Sequence, residues 1–293
     1  FHYDGQTASF TRGSGQLYNS ELLDSEVLIT DIHTVKPKLR FTGKVEATAE
    51  DSVRYLVSSP LKNRFASYLS DASVYGKTNI DLDVKLNLHG RVKPEIKGNI
   101  SFAQAGINMH SLGVRLDKLN GKLDFFNNKF FGKNLAGQLW DMQTAFDVTH
   151  EYANKKDYTV VYATGDMDIP NLKKRFALGL FDYTRGASSW DAVLKIRQAG
   201  LKVTPKAELN LHSNLDGIEV RLPDPVGKIG TEKRQFILAG TFSQMTGHTL
   251  RIDYQGGKLH GVLYAKNSPE GIQYNRGELR FGGEAATLPP NHG

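Results

Sequence analysis

Apolar and polar residues alternate with period two along most of the chain. In NIDLDVKLNLH, Ile80, Leu82, Val84, Leu86 and Leu88 fall on one side of an extended backbone, and Asp81, Asp83, Lys85, Asn87 and His89 on the other. That is the pattern of a strand with one face turned to water. KLRFTGKVEATA repeats it, with Leu39, Phe41, Val45 and Ala47 set against Arg40, Thr42, Lys44 and Glu46. LNGKLDFFNNKFFGKNLAGQL reads as a hairpin about its Asn-Asn-Lys turn. Leu119, Leu123 and Phe125 before the turn, and Phe131, Leu135 and Leu139 after it, form one apolar face, while Lys122, Asp124, Asn134 and Gln138 form the other.

The same period runs through EVLITDI, PEIKGNISFAQA, GVRLDKL, MQTAFDVTH, DYTVVYATGD, SWDAVLKIRQ, KAELNLHSNL, GIEVRLPDP, RQFILAGTF, TLRIDYQ, KLHGVLYAKN and GIQYNRGELRFGG. Connections rich in Gly, Asn and Asp predict antiparallel neighbours. The period changes to that of a helix at two places. Near residues 50–70, Val53, Leu56 and Val57 are helix-spaced, Pro60 interrupts, and Leu61, Phe65 and Leu69 resume. Near 170–183, Leu172, Phe176, Leu178 and Phe181 do the same. Residues 1–25 are polar and weakly patterned, a loose or edge segment, and 26–293 read as one continuous β segment.

About fifteen strands are too many for a flat open sheet, which must curl, split or close. The prediction is a mainly β fold: a long antiparallel sheet curled into an open trough, with two short helical inserts too small to cover its apolar face. A β-sandwich whose two apolar faces meet fits the same alternation.

Composition narrows the chemistry. With 293 residues and 39% hydrophobic content the chain can bury a core. It contains no cysteine, which removes disulfides and thiolate metal sites. Its net charge of +6 suits phosphate-bearing partners, but the basic clusters Lys155-Lys156, Lys173-Lys174-Arg175 and Lys233-Arg234 have no interleaved aromatic residues, so nucleic acid is not the expected partner. Gly76-Lys77-Thr78 resembles the end of a phosphate-binding loop, yet position 71 is Asp where Gly is needed, and a strand follows. The nine histidines are dispersed, without a zinc motif. Asp81 with Asp83, and Asp166 with Asp168, could hold a cation but read more simply as strand acids facing water. Neither a catalytic group, a metal nor a cofactor is expected. No run of about 18 apolar residues could span a bilayer as a helix.

Four stretches, in this order, give a family resemblance. SSPLKNRFASYLSDASVYGKTNIDLDVKLNL leads into a glycine-punctuated meander containing LNGKLDFFNNKFFGKNLAGQLWD; GIEVRLPDPVGK follows, and RGELRFGGEAATLPPNHG lies close to the end. From Leu39 onward the chain resembles the YhdP-type branch of the AsmA-like superfamily, bacterial bridge-like lipid transfer proteins. The resemblance implies the periplasmic segment of a larger Gram-negative envelope protein anchored in the inner membrane. Such a segment would carry phospholipids between inner and outer membrane, with other envelope proteins at the ends of the full chain. It also gives the apolar face a use, as the wall along which acyl chains slide. The residues assigned to that wall are Leu82, Val84, Leu86, Leu88, Ile100, Phe102 and Leu116 in the first half. Leu123, Phe125, Leu135, Leu139, Leu209 and Leu211 complete it. A scaffold sandwich with a closed core and no lipid is the competing expectation.

Overall fold

The computed structural model describes residues 1–58, 72–89, 92–109, 114–176, 179–197, 206–243, 247–268 and 271–290. Among the described residues sixteen strands form one antiparallel sheet in which each pairs with that sheet's next strand in chain order. They are β1 (His2–Tyr3), β2 (Ala8–Leu17), β3 (Ser20–Thr30), β4 (Lys38–Thr48), β5 (Ala72–Asn87), β6 (Glu95–Met109), β7 (Val114–Phe126) and β8 (Lys129–Leu139) in the first half. β9 (Met142–Ala153), β10 (Lys156–Asp168), β12 (Ala187–Arg197), β13 (Lys206–Ser213), β15 (Gln235–Ser243), β16 (Gly247–Gly256), β17 (Leu259–Ser268) and β18 (Gly271–Phe281) follow. The sheet does not close on itself. Among the described residues β11 (Thr184–Arg185) and β14 (Glu219–Val220) stand apart, as a separate two-stranded pair.

This order removes the sandwich, which needs a second large sheet to face the first; among the described residues there is none. Short turns explain why the meander never crosses over. Trp140 and Asp141 between β8 and β9, and Asn154 and Lys155 between β9 and β10, all take positive φ. Paired positive φ values give the hairpin turn whose twist matches that of the strands.

By internal packing the chain divides into two compact units: Phe1–Gly137 with Asp147–His150, and Gln138–Phe146 with Glu151–Gly293. In the first unit residues 1–25 form the sheet's edge, β1 and β2, and the start of β3.

Helix structure is sparse and close to where the period changes. α1 (Ala49–Ser58) opens at Thr48, whose hydroxyl accepts the Asp51 N–H at 3.1 Å. Leu61, Phe65 and Leu69 lie outside the described residues. The second insert is divided: α2 (Ile169–Arg175), capped by the Asp168 carboxylate on the Asn171 N–H, is followed by a 3-10 turn over Gly179–Tyr183. Phe176 between them is already extended, and Leu178 lies outside the described residues.

One predicted strand is mostly not a strand. In GIEVRLPDP only Glu219–Val220 pairs, because Pro223 and Pro225 have no N–H to offer a ladder. The chain turns back instead, so that Val220 and Lys228 exchange backbone hydrogen bonds at 2.8 and 3.0 Å.

Candidate functional site

Strand register places the apolar residues. In the first unit Leu39 pairs with Leu86, Phe41 with Val84, Gly43 with Leu82 and Val45 with Ile80. Val84 then pairs with Ile96, Ile80 with Ile100 and Thr78 with Phe102. Ile100 meets Leu123 and Gly98 meets Phe125. Directly opposed residues share a face, so Leu82, Val84, Leu86, Ile100, Phe102, Leu123 and Phe125 lie on one apolar surface. From β4 to β7 the residues in this phase include no charged side chain.

Two irregularities keep that surface apolar where simple counting fails. Leu116 and Leu119 have opposite parity, yet Leu119 pairs with Ala105 and Leu116 with Ile107, two residues along the same strand. A bulge at Lys118, with φ of 51°, absorbs the extra residue. In the hairpin the expected Phe131 is replaced by Phe130, which lies beside Phe125 with ring centroids 6.5 Å apart. Phe131 instead meets the His150 ring edge-on at 6.4 Å. The turn is the two residues Asn127 and Asn128, which sets Phe130 opposite Phe125. A second positive φ, 55° at Asn134, restores the phase so that Leu135 returns to the apolar face. There it packs against Gly121, whose missing Cβ would stand 3.2 Å from the Leu135 Cγ.

In the second unit Leu211 pairs with Ala192 and Leu238, Leu209 with Leu194 and Gly240, and Leu238 continues to Ile252. Ile252 meets Leu263. The face gathers more leucine and isoleucine than Leu209 and Leu211 alone indicated. Two assigned residues are marginal. Leu88 lies beyond the end of β5, bonded through its N–H to the Pro37 carbonyl and 45% exposed, so it belongs to the sheet's margin and not its wall. Leu139 ends β8, belongs to the second unit and is half-buried.

Leu82, Val84, Leu86, Ile100, Phe102, Leu123, Phe125, Leu209 and Leu211 are all half-buried, neither enclosed nor fully in water. A sheet face packed on another layer would have buried them. Glycines in the wall lower its relief. A Cβ on Gly98 would stand 2.9 Å from the Phe125 ring, and one on Gly240 would stand 3.0 Å from that of Phe242. The aromatic side chains therefore lie across their glycine neighbours instead of projecting.

The opposite face is ionic. Asp83 accepts from Arg40 at 2.9 Å and faces Lys97 at 3.3 Å, and Asp81 accepts from the Asn99 amide. The Arg40 hydrogen bond, followed by Lys97, holds the Asp83 carboxyl below the ordinary range. Asp166 accepts from Ser189 at 2.7 Å, and Asp168 caps α2. Both acid pairs are thus engaged with protein groups. Among the described residues no group of three or more His, Asp or Glu is placed to hold a metal.

α1 lies against the first unit's apolar face at one rim. Its Ser52 hydroxyl is 2.8 Å from that of Thr78, a polar residue of that face. Buried Asp51 accepts from the Asn19 N–H at 3.1 Å, and the Arg54 guanidinium lies 4.2 Å over the Tyr18 ring. In the second unit a rim structure is built on two buried cations; the sequence reading placed Arg234 only in a basic cluster and gave Lys228 no role of its own. Lys228 donates to the Ile218 and Ile229 carbonyls at 2.7 and 3.2 Å, and burial pushes its pKa down. Arg234 binds Glu232 and the Tyr254 hydroxyl at 2.8 and 2.7 Å. Burial opposes its charge, but those two partners hold its pKa above the ordinary value. Both cations lie outside the strands, where the chain has no periodic signal; the returning loop and Tyr254 of β16 enclose them.

An uncharged, half-exposed wall can hold hydrocarbon by area alone, at about 25 cal/mol per Å² covered, without a directional contact. A family model described as YhdP protein matches residues 1–293. No curated protein and no solved structure matches the chain.

Proposed function

We propose, from the premise that this chain belongs to the YhdP family of the AsmA-like superfamily, that it carries phospholipids along the apolar face of its sheet. Family membership suggests a lipid-transport bridge. The observation that supports the reading is the uncharged wall, half-exposed in both units, where a globular protein would have built a covered core. In this reading Leu82, Val84, Leu86, Ile100, Phe102, Leu116, Leu123, Phe125, Leu209 and Leu211 contact acyl chains, with Leu139 at the end of β8, while buried Leu135 supports the wall from beneath. Headgroups remain in water, and no bond is made or broken. Each methylene gains about 0.8 kcal/mol on leaving water, and a wall of similar side chains gives nearly the same gain at successive positions. A lipid can then shift without a deep trap. The setting is the periplasm of a Gram-negative envelope, between inner and outer membranes.

The test is mass spectrometry of organic extracts from gently purified protein. Phospholipid in stoichiometric amount is expected. Lipid-free protein that also takes up none from added phospholipid would sink the reading.

A further inference from the structure

The excursion between β10 and β12 concentrates the chain's charge. Residues 169–185 contain Lys173, Lys174, Arg175 and Arg185 against Asp182 alone, a net +3 from seventeen residues, where all 293 total +6. The excursion is folded. The Ile169 N–H donates to the Gly186 carbonyl at 3.1 Å and closes its base, and Lys173 pairs with Asp182 to join α2 to the 3-10 turn. The Tyr183 carbonyl accepts from the Arg221 N–H at 2.7 Å, and Arg185 binds Glu219 at 2.7 Å. These contacts attach the excursion to the loop between β13 and β15. Yet Leu180 and Tyr183 are each 53% exposed, and Ile229 on the adjoining loop is 68% exposed.

We infer that this excursion docks the second unit on an anionic bilayer surface, with Leu180 and Tyr183 entering the headgroup layer and the surrounding cations facing lipid phosphates. Apolar side chains held out by a folded element beside excess positive charge are the combination that favours a membrane interface. The potential of an anionic leaflet acts on diffuse charge and needs no converging ligand set. A site for one phosphate would need free, convergent cations, and Lys173 and Arg185 already have carboxylate partners. The apolar wall is uncharged in its registered positions, so these cations lie off the acyl path. The inference rests on the proposed function only in placing the chain near membranes, and it can fail separately.

The test is co-sedimentation of the 293-residue chain with phosphatidylcholine vesicles, with and without phosphatidylglycerol. Binding is expected only to the anionic vesicles and should weaken with salt. Lys174→Glu combined with Arg175→Glu should reduce it by more than about tenfold, since each cation near such a surface contributes about fivefold. Leu180→Ser with Tyr183→Ser alters exposed side chains only, and should weaken binding even if the charge-reversed variant fails to fold. Leu123→Asp, on the first unit's wall, should leave sedimentation unchanged while reducing crosslinking of a photoactivatable phospholipid. Equal binding to neutral vesicles overturns the inference, as does parental binding by folded charge-reversed protein or by the Leu180/Tyr183 variant. Loss of binding in Leu123→Asp alone overturns it too. Anionic binding by protein whose extracts contain no phospholipid and that takes up none when it is added would sink the transport reading and leave the docking surface standing.

Discussion

Replacing Leu123 by aspartate separates an open wall from a covered core. Leu123 is half-buried, registered with Ile100, and its Cδ1 lies 3.1 Å from where a Cβ on Gly132 would stand. Leu135 lies on the same face of the same unit but is only 3% exposed. Burying a leucine completely contributes about 1.5–3 kcal/mol. Leu123 keeps part of its surface in water, so Leu123→Asp should lose about 1 kcal/mol of burial. Its carboxylate can hydrate across the uncovered face. At Leu135 it cannot: an unpaired buried charge costs several kcal/mol on top of the lost side chain, against a typical total stability of about 5–15 kcal/mol. Urea titrations followed by circular dichroism should show a small shift in midpoint for Leu123→Asp and loss of the folded baseline for Leu135→Asp. Crosslinking of a photoactivatable phospholipid should fall in the folded Leu123→Asp protein, because charge on the wall repels hydrocarbon. If Leu123→Asp unfolds as readily as Leu135→Asp, the wall is covered and the reasoning fails. If it folds and crosslinks as the parent does, lipid does not use this wall.

Gly186→Ala should destabilise the second unit's rim by more than about 1 kcal/mol, since φ is +103° and the new Cβ would stand 2.0 Å from the Gly217 carbonyl oxygen; faster proteolysis within 169–186 would show it. Asp51→Ala should cost about 1–3 kcal/mol by leaving the Asn19 N–H and the buried Ser20 hydroxyl without their acceptor, and hydrogen exchange at the Asn19 amide should rise. Asp83 has a lowered carboxyl pKa through Arg40 and then Lys97, so its contribution is present above the unfolded value of about 3.9 and lost as pH falls through the lower folded value. Asp83→Asn should therefore lower the melting temperature slightly at neutral pH and flatten the acid limb below about pH 4. An unchanged acid limb would refute that assignment.

The alternation in NIDLDVKLNLH settled a great deal by itself, because side chains on a strand have period two and no tertiary contact changes that arithmetic over a regular stretch. It gave the strand, its charged face and the shared phase of Leu82, Val84 and Leu86, which the register with β4 and β6 reproduces. α1 begins at Ala49 and α2 at Ile169, each within a residue or so of a change in period. Phase across irregularities was not legible. Phe130 replaced Phe131, and Leu116 joined Leu119, because a bulge or a two-residue turn shifts every later side chain by one, and the positive φ values at Lys118 and Asn134 have no counterpart in hydrophobic pattern. Nor could composition distinguish a covered face from an open one, since both need the same alternation. That was decided by strand order: each strand pairs with the sheet's next strand in chain order, no second large sheet returns among the described residues to cover the face, and the apolar side chains are left half in water.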